Sequence, residues 1–198
     1  GTSSSDVANK TDNKYVGWAL QAGGEPSGNF PSSIPSSGLA NGTLVADSGN
    51  GSASLGYSDI SNASSVVQSV NTNSGFSITK FVGSSSGGQV PHNLGSGVGF
   101  VIVKNLDSAE SWVVWSNAFS GSNPDYIRLE TEAAKVSGNA THIAGALGSL
   151  NYYKFGSDPK AGGSSDTYIM YAWKAVSGVS AFGSFDGNST NDVTVTVG

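Results

Sequence analysis

Gly, Ser, Asn and Pro interrupt this chain so often that its apolar stretches are long enough only for short strands. The candidate strands between the interruptions are 65–70, 76–82, 99–105, 112–116, 125–130, 167–175, 179–185 and 193–197. Residues 76–82, FSITKFV, alternate in the way of a half-buried strand. Residues 100–103, FVIV, form a continuous apolar run and predict a central strand buried on both faces. The one candidate helix, 131–135, is short. Charged residues make up only 12% of the chain, against about 25% in ordinary domains. Ser, Thr and Gly therefore supply the solvated surface, and these are poor residues for a helix interior. Together these features predict an all-β fold: an antiparallel, jelly-roll-like β-sandwich with a long Gly/Ser/Pro-rich excursion.

The chain divides into three parts. Residues 1–24 hold an N-terminal strand, YVGWALQA at 15–22, which reads as the opening strand or as the closing strand of a preceding repeat. Residues 25–65 are a Gly/Ser/Pro-rich linker or surface excursion, broken by Pro26, Pro31 and Pro35, with one short strand expected at 43–46. Residues 66–198 form the sandwich module. The chain starts at Gly1 without a signal-like region and reads as a processed product or a piece of a longer protein.

Charge and composition narrow the function classes. The net charge of −5 comes without a basic stripe, so the phosphate-neutralising term of nucleic-acid binding is missing, as is attraction to an anionic membrane. The longest apolar run, 98–103, is far short of the ~20 residues of a helical membrane span. With no Cys, disulfides and thiolate zinc sites are excluded.

An internal echo is more informative. YVGWALQA at 15–22 lines up with YIMYAWKA at 168–175, an offset of 168 − 15 = 153, and each follows a polar stretch containing an Asp, Asp12 or Asp166. SGFS at 74–77 is echoed by SGVS at 177–180 at a different offset, so the two echoes do not belong to one duplication. The reading favoured is the closing strand of one module followed by most of the next; chance similarity in a low-complexity β protein is the alternative.

Three segments carry a family resemblance: YVGWALQAGG at 15–24, SGFSITKFVGSSSGGQVPHNLGSGVGFVIVKNLDSAESWVVW at 74–115, and GGSSDTYIMYAWKAVSGVSAFGSFDGN at 162–188. They resemble a repeat found in tandem in structural proteins of marine tailed phages. The resemblance implies that an Asp-Thr-Tyr-type strand closes one unit and a Gly-Phe-Ser-Ile strand opens the next. It covers most of 74–188 plus the N-terminal piece and carries over no catalytic residue. This chain departs from the pattern at Pro91-His92-Asn93-Leu94-Gly95, where members often read Gly-His-Gly-Leu-Gly, and it lacks a Pro before Phe100.

Candidate chemistry is sparse. GSSSG at 83–87 matches a nucleophile-elbow pattern, but no helix or ordered acid and His partners follow, so a turn is expected. His92 reads as a turn residue and His142 as a half-buried strand or loop residue, neither at metal-ligand spacing. Asp186, Asn188, Thr190 and Asp192 alternate like the start of a calcium loop, yet the Gly and distal Glu of such a loop are missing, and a turn is the stronger reading. Arg128, Glu130 and Glu132 read as a solvated ion-pair row on an extended segment. Trp18, Trp112, Trp115, Tyr152, Tyr153 and Trp173 are the candidates for a binding or interface face, with the core as the competing place for each. Trp112 and Trp115, three apart, should point to opposite faces of a strand.

The expected function is a non-enzymatic structural or adhesion module of a phage virion (fibre, spike or capsid-surface protein), acting in assembly and host-surface contact. Its location would be the virion or another extracellular assembly. Expected partners are other copies or other virion proteins and a host-surface glycan, without nucleic acid, membrane insertion, cofactor or metal. The alternatives are a carbohydrate-binding module of a secreted or cell-surface protein, which needs exposed coplanar aromatics, and a polysaccharide depolymerase, which needs a carboxylate pair in a cleft.

Overall fold

A computed structural model describes residues 14, 17, 19, 20, 22, 44–47, 60–119, 124–138, 140–144 and 150–187. Among these described residues nine strands follow in chain order: β1 (Leu44–Asp47), β2 (Ser64–Asn71), β3 (Phe76–Val82), β4 (Gly88–Pro91), β5 (Val98–Asn105), β6 (Val113–Ser116), β7 (Ile127–Arg128), β8 (Tyr152–Phe155) and β9 (Thr167–Lys174). Helix is absent among the described residues, the candidate at 131–135 included. The fold is an all-β, antiparallel sandwich. A seven-stranded sheet in the order β1-β2-β3-β9-β5-β6-β7 faces a two-stranded sheet, β4-β8. Every pairing is antiparallel except β1 with β2.

β9, the last strand among the described residues, lies at the middle of the large sheet, bonded to β3 on one side and β5 on the other. Its alternation decides the two faces: Tyr168, Met170 and Ala172 are fully buried on the inner side, while Ile169, Tyr171 and Trp173 are half-buried on the outer side. On the inner side, Tyr168 stacks on Phe81 at 5.3 Å between ring centroids, and Phe81 stacks on Phe155 of the small sheet at 5.5 Å. Tyr153 adjoins Phe155 at 6.2 Å. This run of rings joins the two layers, and Val66, Val70, Val90, Val101, Val103, Val113 and Trp115 fill the space around it.

Several polar groups inside the sandwich are paired, while the Ser77 hydroxyl is buried without a hydrogen-bond partner. The fully buried Gln68 donates from Nε2 to Thr79 Oγ1 and to Pro91 O, both at 2.7 Å, and its Oε1 accepts from Asn93 Nδ2 at 2.6 Å. β9 enters the sheet through a clasp: Asn105 Nδ2 donates to Asp166 Oδ2 (2.8 Å) and Pro159 O (3.1 Å), and Tyr168 Oη donates to Pro159 O (2.7 Å). Hydrogen bonds from Asn105, Ser164 and Ser108 hold the Asp166 carboxyl below its usual range. The β2–β3 hairpin turns at Gly75, whose φ of +67° suits glycine, and a Cβ there would lie 2.5 Å from Lys174 O.

Several expectations are corrected. Residues 179–185 form no strand. After β9 the chain turns at Gly178 (φ +76°), with the Val179 and Ser180 N–H groups donating to Val176 O, and Val179 is 66% exposed. The reason is topological, because both edges of β9 are already taken by β3 and β5 and a hairpin back onto it has no place. The SGVS echo at 177–180 is therefore an echo of a turn, its Gly178 matching the positive-φ Gly75 of SGFS. The strand expected at 125–130 shrinks to Ile127–Arg128 because Tyr126 bridges to Val136 instead and Thr131 N turns back to Arg128 O. With that, the ion-pair row of Arg128, Glu130 and Glu132 loses its strand, and Glu130 Oε2 accepts from Trp112 N at 3.0 Å. β5 is not buried on both faces, since Phe100 and Ile102 are half-buried on the outer side. β4 and β8 were not expected. The strand expected at 43–46 appears as Leu44–Asp47. Of the strand expected at 15–22, Gly17, Ala19, Leu20 and Ala22 carry no strand and the other residues lie outside the described residues, as does 193–197.

Truncating the ring that links the layers tests this packing. Phe81→Ala is expected to cost about 3–5 kcal/mol, and Val179→Ser less than about 0.5 kcal/mol, read as shifts of the urea midpoint at constant m-value.

Candidate functional site

The outer face of the large sheet is built by the register of β3, β9 and β5. Three rows of residues cross these strands: Phe76, Trp173 and Phe100; then Ile78, Tyr171 and Ile102; then Lys80, Ile169 and Lys104. Two rows are wholly apolar or aromatic, and the third carries the two lysines. Trp173 sits between Phe76 (5.0 Å) and Phe100 (5.6 Å), with Tyr171 beside it at 6.2 Å and 25° between ring planes. Phe76 is buried by its neighbours, while the other five apolar members of those first two rows are half-buried. Beyond β9 the chain returns to this face once among the described residues, where Phe182 stacks on Phe100 at 5.9 Å and 8°. A sheet face this apolar, with lysines only along one margin, has the chemistry of an interaction surface.

The sequence candidates separate on this frame. Trp173 lies in the centre of the outer face. Trp115 points inward and is 5% exposed, and Trp112, just before β6, is half-buried, so the two do differ in environment. Tyr153 is a core residue: it is fully buried, its hydroxyl donates to Ala161 O at 2.9 Å, and burial pushes its phenol pKa upward. Tyr152 is half-buried on the outer side of the small sheet. Trp18 lies outside the described residues. Of the calcium-loop candidates, Asp186 is exposed and Asn188, Thr190 and Asp192 lie outside the described residues. Among the described residues, no group of three or more His, Cys, Asp or Glu is placed to hold a metal ion. Phe76, Phe100 and Tyr171 were missed as interface residues. Their signal was the alternation of the strands flanking Trp173, which puts residues two apart on one face.

Both histidines are engaged within the fold. His92 stands where the chain turns after β4, before Asn93 with its φ of +54°, and its ring is fully buried. Leu94 N donates to its Nδ1 at 3.2 Å and its Nε2 faces Leu150 O at 3.1 Å, which assigns the proton to Nε2. Burial lowers its pKa from 6.5 to about 4. His142, also buried, stacks on Tyr126 at 4.4 Å, and its Nε2 lies 3.0 Å from Tyr126 Oη and 3.3 Å from Asp158 Oδ2. Its Nδ1 lies 3.3 Å from Thr141 Oγ1. Asp158 continues to Lys160 and Lys160 to Glu110, each at 3.5 Å. Burial lowers the His142 pKa against the opposing pull of Asp158. Both ring nitrogens have partners inside the protein, so this cluster braces the 141–143 and 156–160 segments. The GSSSG loop is a turn, as expected: Ser86 N donates to Ser84 Oγ, Gly87 N to Ser84 O, and β4 follows in place of a helix.

Folding lowers the pKa of His92, so the unfolded chain takes up its proton first as pH falls. The His92 contribution is complete above about pH 6.5 and is lost on the way down to about pH 4, amounting to roughly 3 kcal/mol. His142 acts in the same direction. Urea titrations between about pH 7 and pH 4 should show a shallower acid loss for His92→Gln than for the wild type; equal slopes would mean that the ring is solvated.

A protein-family model described as "Domain of unknown function (DUF7483)" matches residues 48–198, a span that includes both sheets from β2 onward. No curated protein matches the chain. No solved structure matches it.

Proposed function

The chain belongs to this DUF7483 domain family, and we propose that it is a non-enzymatic structural and adhesion module of a phage virion, within a fibre, spike or capsid-surface protein, acting in assembly and host-surface contact. The observation that carries this reading is the outer face of the large sheet, where Trp173, Phe100, Ile78, Tyr171 and Ile102, each half-buried around the buried Phe76, form a continuous apolar patch. Such a surface gains most when a neighbouring module or copy covers it, through release of water from apolar area. The sequence echo supports the tandem-module part of the reading. Aligned on β9, Tyr15 and Ala19 fall at the inward positions of Tyr168 and Ala172, and Trp18 and Leu20 fall at the outward positions of Tyr171 and Trp173. The pattern agrees at these four positions, whereas Gly17 falls at the inward position of Met170. The resemblance to marine tailed-phage structural repeats supplies the virion setting. The internal pairing of His92 and His142 suits a module whose polar groups serve the fold.

A second reading, a carbohydrate-binding module of a secreted or cell-surface protein, draws on Tyr171 and Trp173, whose rings lie side by side within 25° of parallel.

Sedimentation of the full chain over a range of concentrations tests the assembly surface. The wild type is expected to associate, and the double variant Ile102→Lys with Tyr171→Lys to remain monomeric with its far-UV spectrum and melting transition retained. A wild type that stays monomeric at high concentration overturns the assembly reading. Quenching of tryptophan fluorescence by neutral oligosaccharides in that same monomer would favour the second reading.

A further inference from the structure

The small sheet has an outer side of its own. Gly88, Val90, Tyr153 and Phe155 face the core, so the register of β4 and β8 puts Gln89 opposite Lys154, and Tyr152 two residues from Lys154, on the other side. A groove of about 360 Å³ opens there. Ser61, Asn62, Ser86, Gln89 and Lys154 bring hydroxyls, two amides and an ammonium to its walls. Its lining contains no carboxylate. Ser61 is held against β4 by paired bonds, its N donating to Gln89 O at 3.1 Å and Gln89 N donating to Ser61 O at 2.9 Å. Ser86 comes from the GSSSG loop, so that motif forms a groove wall in place of a nucleophile elbow. The shape depends on glycine: a Cβ on Gly88 would lie 2.3 Å from Ser61 O, and Gly87 has φ +71°.

We infer that this groove binds an acidic saccharide, with a sugar carboxylate at the Lys154 ammonium and ring hydroxyls shared among Gln89, Asn62, Ser61 and Ser86. The volume lies at the lower end of the range for small-molecule sites and suits a short stretch of a glycan. Amides and hydroxyls both donate and accept, which matches a polyol, and a charge-assisted bond from Lys154 selects for an anion. Tyr152, half-buried two residues along β8 on the same side, lies outside the groove's lining. The protein's net charge of −5 opposes an anion at low salt, but at physiological ionic strength charges beyond about 8 Å are largely screened and Lys154 acts locally. This site stands apart from the outer face of the large sheet, on the opposite layer, and binding there does not require that face to drive assembly.

The test uses the full ¹⁵N-labelled chain with three probes: tetragalacturonate, its methyl ester, and citrate as a polycarboxylate without a sugar ring. Tetragalacturonate is expected to shift the amide signals of Gly87, Gly88, Gln89 and Lys154. Calorimetry is expected to show binding weakened about tenfold or more by Lys154→Gln and by the methyl ester, with citrate weaker still. Lys154 is exposed, so its replacement leaves the fold in place, and the unfolding midpoint checks this. Absence of binding at millimolar tetragalacturonate, equal binding of the ester, equal binding of citrate, or shifts confined to β3, β5 and β9 would each overturn the inference. Ile102→Lys with Tyr171→Lys is expected to leave saccharide binding unchanged, which separates failure of this site from failure of the assembly surface.

Discussion

Tyr168, Phe81 and Phe155 stack one on the next from the large sheet across to the small one, and the rest of the structure is arranged around that line of rings. Tyr168 belongs to the last strand among the described residues, and that strand occupies the middle of the seven-stranded sheet. Among the described residues, the two halves of the sheet, β1-β2-β3 and β5-β6-β7, do not pair with each other and are joined through β9. The core therefore closes when β9 joins the two halves. That makes the contacts strongly non-local, a topology associated with slow folding. It also explains why the entry to β9 is held by so many polar bonds. Asn105, Asp166, Tyr168 and Pro159 fix where the strand begins, and the strand's register then sets which residues face each layer.

One consequence of that register is the outer face. Because Tyr168, Met170 and Ala172 must point inward, Ile169, Tyr171 and Trp173 must point outward, and the neighbouring strands align Phe76, Phe100, Ile78 and Ile102 beside them. The apolar character of this surface and the burial of the core thus follow from a single alternation. The polar residues serve a different end. Gln68 joins β2 and β3 to the end of β4, and His142 ties Tyr126 to Asp158; each holds together segments far apart in sequence. In a chain with 12% charged residues, these few buried polar contacts specify which loops meet.

The hydrophobic period was legible where strands are long and regular. The expected 76–82 coincides with β3, and 65–70, 99–105 and 167–175 each lie within a residue of β2, β5 and β9. It failed at 179–185, where an apolar pattern has no sheet edge to join, and at 125–130, where Tyr126 bonds to Val136. It also missed β4 and β8. Gly88–Pro91 opens with a glycine and ends with a proline, and Tyr152–Phe155 is four residues long, so neither segment announces a strand by itself. Trp173 was legible as an interface candidate, whereas Tyr153 and Trp115 looked equivalent to it in sequence and turned out to face the core.

By itself the amino-acid sequence determined that this chain is all-β. Short runs punctuated by turn residues cannot sustain a helix, and alternation along a run assigns its residues to two sides. Which side became the core, which strands became neighbours, and that Ser61, Ser86, Gln89 and Lys154 meet around one groove were decided only by the tertiary structure. The physical reason is that alternation is symmetric. A strand's two faces remain interchangeable until another layer covers one of them, and the partners that do so here lie far away along the chain.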